Sequence, residues 1–481
     1  MDIEKIAMEG LVAASMQKAS YCDIRYEIIH DENLSYSDGE AEPIESSVSA
    51  GWSVRMLLDG AWGFAASDDA TLTIDKLVEQ AAAIAKASAK VMKTPVELTP
   101  IEIGEGDFKS DFKIDPFTVP LEDKIAYLAD LDSAMGAVEG INTRSCFASF
   151  RKLDKWFFSS EGCKQHQLLI QSGAGLSLGQ AVSRRERAER SYPKPAGQYE
   201  LKGYELLDEL KLKDQISRMA KEITMVLAAP ACPQKNTTLV LGGNITSLVI
   251  HETIGHALEL DRVFGAERNF SGISFATPDN LNFLQYGSEI VNVYTDSTIP
   301  HGLGSFIWDD EGVKSKRTQL IKNGKLINYL SSREMAGRVG LTSSGNMRAE
   351  GWTNIPIVRM TNTILEPGDK TFEQLIGEVD DGIYMDGPTS WSIDDLRKNF
   401  QFGCEIGWEI KGGKLAGVVK NPTFSGCTTQ LWNNCDAIGD KSQFVLQGTP
   451  NCGKGQPGQN ARTGEGASPV RFVSIDVGGQ S

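Results

Sequence analysis

The strongest constraint on the fold is a pair of histidines, His251 and His256, in the segment HETIGH. Neutral imidazole is a common transition-metal ligand, and the intervening Glu252 has the carboxylate that usually accepts a proton at such a site. A spacing of five positions turns two side chains of a regular α-helix about 140° apart. One extra residue in the turn, a π-bulge, returns them to one face, and Gly255 makes that distortion sterically cheap. We therefore predict a distorted helix that carries a metal site; the alternative is a chance pair of hydrogen-bonded histidines.

The pattern of apolar residues changes character at the two prolines of APACPQKN. Before them, helical and strand periodicities alternate, and residues 204–227 read as one long helix. After them, strand patterns dominate, with hairpins predicted over 318–330 and 404–419. We predict an α+β fold of two domains. The N-terminal domain, residues 1–228, mixes helices and strands, and the C-terminal domain, residues 229–481, is strand-rich and carries the distorted HExxxH helix.

Charge and composition exclude several classes of partner. The 64 acidic residues outnumber the 48 lysines and arginines, which leaves a formal net charge of −16. Such a surface repels phosphate, so we expect no nucleic-acid partner, and no stretch approaches the roughly 18–20 apolar residues that span a membrane. The first ten residues place acids before any apolar core, unlike a secretory signal, and the eight cysteines lack CxxC spacing. We therefore expect reduced thiols and a cytoplasmic protein.

Several other polar segments allow two interpretations each. The acidic segment 309–312 is either a cation site or, with more support from its spacing, a turn before a strand. Residues 344–346 and 359–362 either line a substrate groove or fasten loops. Asp261 either holds a histidine or caps the end of the helix, and His301 reads as a loop histidine that could approach an oxyanion.

Four segments in a fixed order carry a family resemblance: HETIGHALELD, FIWDDEG, GNMRAEGWTNIPIVRMTNT and NCGKGQPG. Together they resemble the TldD/PmbA family, whose members are labelled modulators of DNA gyrase and are similar to metallopeptidases. The resemblance covers most of the chain and is most specific from His251 to Gly458. The family has two kinds of subunit, and this chain resembles the TldD kind, which keeps HExxxH. It departs from the family at Leu260, where the family usually has glycine.

Carried over position by position, the resemblance implies a Zn²⁺ ion with three protein ligands, His251, His256 and Cys452. It also implies that Glu252 is the general base that activates a zinc-bound water. On the residues alone, Glu259 and Asp261 are rival third ligands, because a downstream carboxylate serves this purpose in many HExxH enzymes. We expect Cys452 to lie in a tight glycine-flanked loop, TPNCGKG.

The resemblance further implies a dimer whose active site faces an enclosed cavity that only unfolded or short peptides can reach. The dimer would be a homodimer, or a heterodimer with a family member that lacks HExxxH. We therefore predict a zinc-dependent metallopeptidase that acts on unfolded or short peptides. Two alternatives stay open at this point. One is a regulatory or binding partner of a toxin or gyrase system with a structural metal, and the other is an amidase with non-peptide substrates.

Overall fold

The computed structural model describes residues 1–183 and 186–479 and has the predicted α+β class. Its N-terminal half is one mostly antiparallel sheet with helices packed on it. The helices are α1 Ile3–Met16, α2 Ile74–Ala89, α3 Leu121–Gly136, α4 Glu205–Leu210 and α5 Leu212–Ala228. The strands are β1 Tyr21–Ser37, β2 Glu40–Ala41, β3 Glu45–Leu58, β4 Ala61–Ser67, β5 Glu105–Lys109, β6 Thr143–Ser159, β7 Lys164–Ala181, β8 Arg187–Tyr192 and β9 Gln198–Glu200.

The sheet of the N-terminal half has the strand order β4-β3-β1-β6-β7-β5. β2 pairs with β1, while β8 and β9 pair with β7. Helix α2 shows why the helices pack here: Ile74, Leu77, Val78 and Ala81 are buried, at the spacing that places residues on one helical face. Their burial in a shared core with apolar residues of β1, β3 and β4 holds the helix on the sheet.

The predicted long helix over 204–227 is wrong in one respect, because the structure breaks it into α4 and α5 at Lys211. Lys211 adopts a left-handed conformation with φ 48°. Leu207 and Leu212 are both buried in the same core cluster. In a continuous α-helix their spacing of five would turn them about 140° apart. The break therefore lets both leucines reach one core, a demand of tertiary packing that periodicity does not reveal.

The C-terminal half carries two larger sheets and short helices. The helices are α6 Gly243–Ile250, α7 Leu260–Val263, α8 Arg333–Gly337, α9 Phe372–Gly377 and α10 Thr428–Asn433. The strands are β10 Lys235–Leu241, β11 Val293–Asp296, β12 Arg317–Lys322, β13 Lys325–Leu326, β14 Met347–Arg348, β15 Ile357–Val358, β16 Asn362–Leu365, β17 Asp381–Ile393, β18 Asn399–Lys411, β19 Lys414–Val419, β20 Pro422–Cys427, β21 Cys435–Ile438, β22 Val445–Lys454, β23 Gln459–Ala467 and β24 Val470–Gly479.

One of the two sheets has the order β10-β17-β18-β20-β24-β21, and the other has the order β13-β12-β11-β16-β23-β22. The predicted hairpin over 404–419 is present as β18 and β19, whereas the hairpin over 318–330 has a short second arm, β13. The described strands of the N-terminal sheet end by residue 200, and those of the two C-terminal sheets begin at residue 235 or later. The domain division between residues 228 and 229 stays a prediction. Within the described residues, no helix has the length and apolar character that crossing a membrane requires.

The acidic segment 309–312 lies between the two halves, and its carboxylates contact lysine, arginine and backbone N–H groups of the protein. Asp310 accepts a hydrogen bond from Nζ of Lys155 at 2.6 Å, and Glu311 forms an ion pair with Arg55 at 3.4 Å. Asp309 accepts hydrogen bonds from backbone N–H groups of its own turn, which favours the turn over the cation site. Buried ion pairs of this kind fix two parts of a chain relative to each other because neither charge can be left unpaired.

We expect the substitution Arg55→Met to destabilise the fold by about 3–5 kcal/mol, because it leaves two carboxylates buried without their cation. Arg55 is buried, and besides Glu311 it pairs with Asp23 at 2.6 Å. The measurement is the urea midpoint of unfolding. Lys76→Met removes one positive charge from an exposed pair and should leave the midpoint unchanged. Equal midpoints for the two variants would contradict the structural importance of this network.

Candidate metal centre and active site

The HExxxH segment forms the predicted distorted helix. Helix α6 runs directly into a π-helical turn, His251–Gly255, which is followed by a 3-10 turn, His256–Leu258. A Cβ atom at Gly255 would lie 2.0 Å from Sδ of Met360, so any larger residue here would have to displace that buried side chain. The two imidazole rings face the same region at a centroid distance of 4.9 Å. The extra residue of the π-turn thus brings the side chains of His251 and His256 onto the same face.

Cys452 lies beside both histidines, although it is not in the loop that we expected. It belongs to strand β22 and pairs with Ala461 of β23, just after a register shift that begins at Thr449. Pro450 has no N–H group to donate to the ladder, which is a reason for the irregularity there. Sγ of Cys452 is 3.2 Å from Nε2 of His251 and 3.4 Å from Nε2 of His256.

The donor atoms of His251, His256 and Cys452 fit a zinc ion. All three lie within 4.8 Å of one another. Tetrahedral zinc, with Zn–S of about 2.3 Å and Zn–N of about 2.0–2.1 Å, separates sulfur from nitrogen by about 3.6 Å, close to the observed distances. Burial opposes ionisation of the Cys452 thiol, but His251, His256 and Arg359 outweigh it and hold its pKa well below the usual value. The thiolate is the form that binds metals.

Nδ1 of each histidine, the ring nitrogen that does not face Cys452, contacts a buried carboxylate. Nδ1 of His251 is 2.8 Å from Oε1 of Glu465, and Nδ1 of His256 is 2.8 Å from Oε2 of Glu259. Such contacts set the tautomer and leave the other ring nitrogen for a metal. Glu259, a rival ligand on the residues alone, therefore contacts a histidine instead of joining the cluster. Glu465 was not predicted, because it comes from strand β23 and no motif marks it.

We expect the substitution Glu465→Gln to weaken zinc binding about tenfold to a hundredfold, because it removes the charge that orients His251 and raises its basicity. Glu465 is buried, and burial opposes its ionisation, yet His251 outweighs burial and lowers the pKa of the carboxyl. Competition with a chromogenic chelator measures the affinity. Glu373→Gln, an exposed change on α9, is the matched control. Wild-type affinity in Glu465→Gln would show that the carboxylate does not support the ligand.

Glu252 borders a cavity of about 440 Å³ together with the three candidate ligands. Its Oε2 accepts a hydrogen bond from Nη1 of Arg397 at 2.8 Å. Arg397 lies in the turn between β17 and β18 and has a φ of 60°. The sequence had no signal for this contact, since no motif marks Arg397. Glu252 is thus placed next to the cluster, with one oxygen fixed by a guanidinium group.

The remaining candidates mostly hold loops together. The side chain of Ser344 hydrogen-bonds that of Ser331 at 3.1 Å, and Nδ2 of Asn346 donates to the carbonyl oxygen of Arg359. Arg359 is closer to the centre than the others: it donates to Sγ of Cys452 at 3.0 Å and to the carbonyl oxygen of the same residue. For residues 344–346, these contacts favour a role in holding loops together over a role in lining a substrate groove.

Asp261 and His301 lie outside the candidate cluster. Asp261 accepts a hydrogen bond from Nζ of Lys454 at 2.6 Å and contacts none of the described histidines, so the structure does not support the alternative in which it holds a histidine. Nδ1 of His301 is 3.2 Å from the carbonyl oxygen of Leu201, as suits a loop histidine. The eight cysteines all lie in the described part of the chain and are unpaired, in agreement with reduced thiols.

Comparison with protein families identifies two matching regions. Residues 234–479 match the PmbA/TldA metallopeptidase C-terminal domain, and residues 22–85 match domain 1 of the same metallopeptidases. A metalloprotease of Methanocaldococcus jannaschii is 31% identical over 464 residues, which cover 95% of this chain and 97% of that protein. A zinc metalloprotease TldD homolog of Saccharolobus solfataricus is 23% identical over 96% of this chain and 97% of its own length.

Two solved structures share the fold. One is described as a modulator of a DNA gyrase from Thermotoga maritima, and it superposes with a TM-score of 0.78 at 17% identity over 99% of this chain and 100% of that one. The other is TldE from Thermococcus kodakarensis, with a TM-score of 0.72 at 18% identity over 98% of this chain and 100% of that one. At these identities the likeness concerns the arrangement of the chain alone.

Proposed function

The chain belongs to the PmbA/TldD metallopeptidase family, and we propose that it is a cytoplasmic, zinc-dependent peptidase that cleaves unfolded or short peptides. One observation carries the proposal. Two imidazole nitrogens and one thiolate sulfur converge within 4.8 Å, beside a carboxylate that borders the same cavity. In this proposal His251, His256 and Cys452 are the zinc ligands and Glu252 is the catalytic residue. Three protein ligands and an open position are the hallmark of a catalytic zinc site.

A zinc ion held by these residues would supply a Lewis acid that polarises the scissile carbonyl group. Glu252 does the proton transfer: it takes a proton from the attacking water and returns one to the leaving amine. Arg397 holds the Glu252 carboxylate in one orientation through their contact at 2.8 Å. Glu465 and Glu259 hold the two imidazoles, so that the Nε2 atoms stay directed at the centre.

The burial of the reactive groups supports selectivity for unfolded or short peptides. Glu252 is 6% exposed and His251 is 5% exposed. Low exposure favours an extended chain, which can enter the cavity and bind by main-chain hydrogen bonds to strand edges. That mode of binding gives affinity with little demand on side-chain sequence. It is compatible with the enclosed dimer cavity that the family resemblance implies.

We also propose that the active form is a dimer, either of this chain or with a family member that lacks HExxxH. The fold that this chain shares with TldE of Thermococcus kodakarensis supports a partner of the second kind. Light scattering of the purified chain distinguishes the two cases, because a homodimer has twice the mass of 52.4 kDa without any added partner. The net charge of −16 supports the absence of a nucleic-acid partner.

The decisive experiment combines metal analysis with digestion of an unfolded protein. We expect one zinc per chain, cleavage of a reduced and carboxymethylated protein, loss of cleavage with a chelator, and recovery when zinc is returned. The folded, disulfide-intact form of the same protein is the control and should resist cleavage. Equal rates on both forms would contradict the enclosed cavity. Zinc coordinated by four protein ligands, with no cleavage of either form, would instead favour a structural metal in a binding partner.

A further inference from the structure

One lysine on the wall of the catalytic cavity lacks a carboxylate partner. Lys194 borders the cavity together with His251 and Glu252. Its Nζ donates to Oγ1 of Thr449 at 3.4 Å, and across residues 1–183 and 186–479 no carboxylate oxygen lies within 4.0 Å of it. Burial lowers the pKa of Lys194 to about 8 despite the nearby charge of Glu465. A half-buried ammonium that is not paired is costly, and such a cost is typical of functional groups.

The other charged groups of the cavity wall each contact another ionisable group. Glu252 pairs with Arg397 at 2.8 Å. Glu465 accepts hydrogen bonds from Thr449 and Thr463 and contacts His251. Of the charged side chains that the structure describes around this cavity, Lys194 is therefore the cation without a carboxylate partner, whereas Arg397 pairs with Glu252 through Nη1. A carboxylate is the complementary group that a peptide brings with it.

The backbone presents Lys194 in a restricted conformation. The residue lies between Pro193 and Pro195, whose rings limit the backbone dihedral angles on both sides. The N–H group of Gly197 donates to the carbonyl oxygen of Lys194 at 2.8 Å and closes the turn. This restriction lowers the backbone part of the entropy that is lost when a ligand binds, which favours recognition over a chance surface position.

Lys194 is close enough to the centre to contact a residue near the cleaved bond. Its hydrogen bond to Thr449 continues through Glu465 Oε2 at 2.9 Å, and Glu465 Oε1 lies 2.8 Å from His251. The path from the ammonium group to the imidazole is thus about the length of three extended residues. A ligand group at Lys194 would belong to the same peptide as the bond at the centre.

We propose that Lys194 binds a carboxylate of the substrate within about three residues of the scissile bond, an inference that rests on the proposed function. Two sources supply the same group. A free C-terminal carboxylate would direct the enzyme to trim short segments from the carboxyl end of peptides. An aspartate or glutamate side chain would instead direct it to internal acidic positions. The chemistry at the ammonium group is the same in both cases.

The test measures binding to the zinc-stripped chain, which leaves Lys194 and Arg397 unchanged while preventing turnover. The probes are acetyl-hexaalanine with a free carboxylate, its C-terminal amide, and amides with one aspartate at each position in turn. We expect the free acid, or one aspartate peptide, to bind about ten- to a hundredfold more tightly than the plain amide. The peptide that binds more tightly, either the free acid or one of the aspartate amides, identifies where the substrate carboxylate comes from. Lys194→Gln should abolish the difference, and Lys194→Arg should restore it.

Lys76→Gln removes an equal charge from an exposed position and should keep the preference. Equal binding of all peptides to the wild-type chain would overturn the inference, as would a preference that survives in Lys194→Gln and disappears in Arg397→Gln. Cleavage by the zinc-loaded chain distinguishes failure of the role of Lys194 from failure of the proposed function. Peptides that are cut without a carboxylate preference overturn the role of Lys194 alone. Peptides that are neither bound nor cut overturn the proposed function together with it.

Discussion

Replacement of Glu252 by glutamine is expected to reduce peptide cleavage by about 10²–10⁴-fold while the zinc content stays at the wild-type level. Glutamine keeps the size of the side chain, so the π-turn of His251–Gly255 and the cavity wall should persist. The amide cannot accept the proton of the attacking water at neutral pH, and this is the step that the carboxylate performs. The measurement is kcat/KM on an unfolded substrate beside atomic absorption on the same sample.

Glu289→Gln, a change at an exposed residue that does not line the cavity, is the matched control and should leave both readouts unchanged. The contact between Glu252 and Arg397 makes a second comparison useful. Arg397→Gln should lower the rate less than Glu252→Gln, because it loosens the orientation of the base without removing it. Loss of zinc in step with activity in Glu252→Gln would mean that Glu252 is a ligand, which would overturn its assignment as the general base.

Replacement of Cys452 by alanine is expected to remove both zinc and activity. Its Sγ is within 3.4 Å of Nε2 of both histidines. Among the described residues, the cluster of candidate metal ligands at this point consists of these three side chains. Two imidazoles alone hold zinc weakly, and the thiolate also supplies the negative charge that stabilises the cation. Zinc per chain after dialysis and cleavage of an unfolded peptide are the two measurements.

Cys435→Ala is the matched control for this variant, because Cys435 is also a buried, unpaired cysteine in a strand of the C-terminal half. Glu259→Ala tests the rival ligand; it should weaken zinc binding through His256 without abolishing it. Full zinc occupancy in Cys452→Ala, together with loss of zinc in either of the other two variants, would contradict the proposed ligand set.

The parts of the fold that depend on local spacing were predictable. The distorted helix follows from the positions of His251 and His256, and the hairpin of β18 and β19 follows from two glycines at its turn. The environment of Cys452 was not predictable, because its strand exists only through pairing with β23. A glycine-rich segment reads as a loop until that partner is known, and register between distant strands leaves no local pattern.

The residues that surround the candidate ligands were the least predictable. Glu465 reaches His251 because β23 packs against α6, the helix that leads into the π-turn, so that a residue 214 positions away contacts the imidazole. Asp261, which is much closer in sequence, contacts Lys454 instead. Proximity along the chain alone does not identify the carboxylates that hold the histidines, because the direction of a side chain after a π-turn depends on how the following segment packs.

The distance along the chain between the proposed ligands determines when the centre can exist. Cys452 follows His256 by 196 positions, and translation at about 5–20 residues per second separates them by roughly 10–40 seconds. During that interval the nascent polypeptide carries both histidines without the sulfur that completes the set. If the proposed ligands are the catalytic ones, proteolytic capacity arises only after β22 and β23 have left the ribosome and paired. The order of synthesis therefore keeps the proposed centre incomplete while most of the chain is being made.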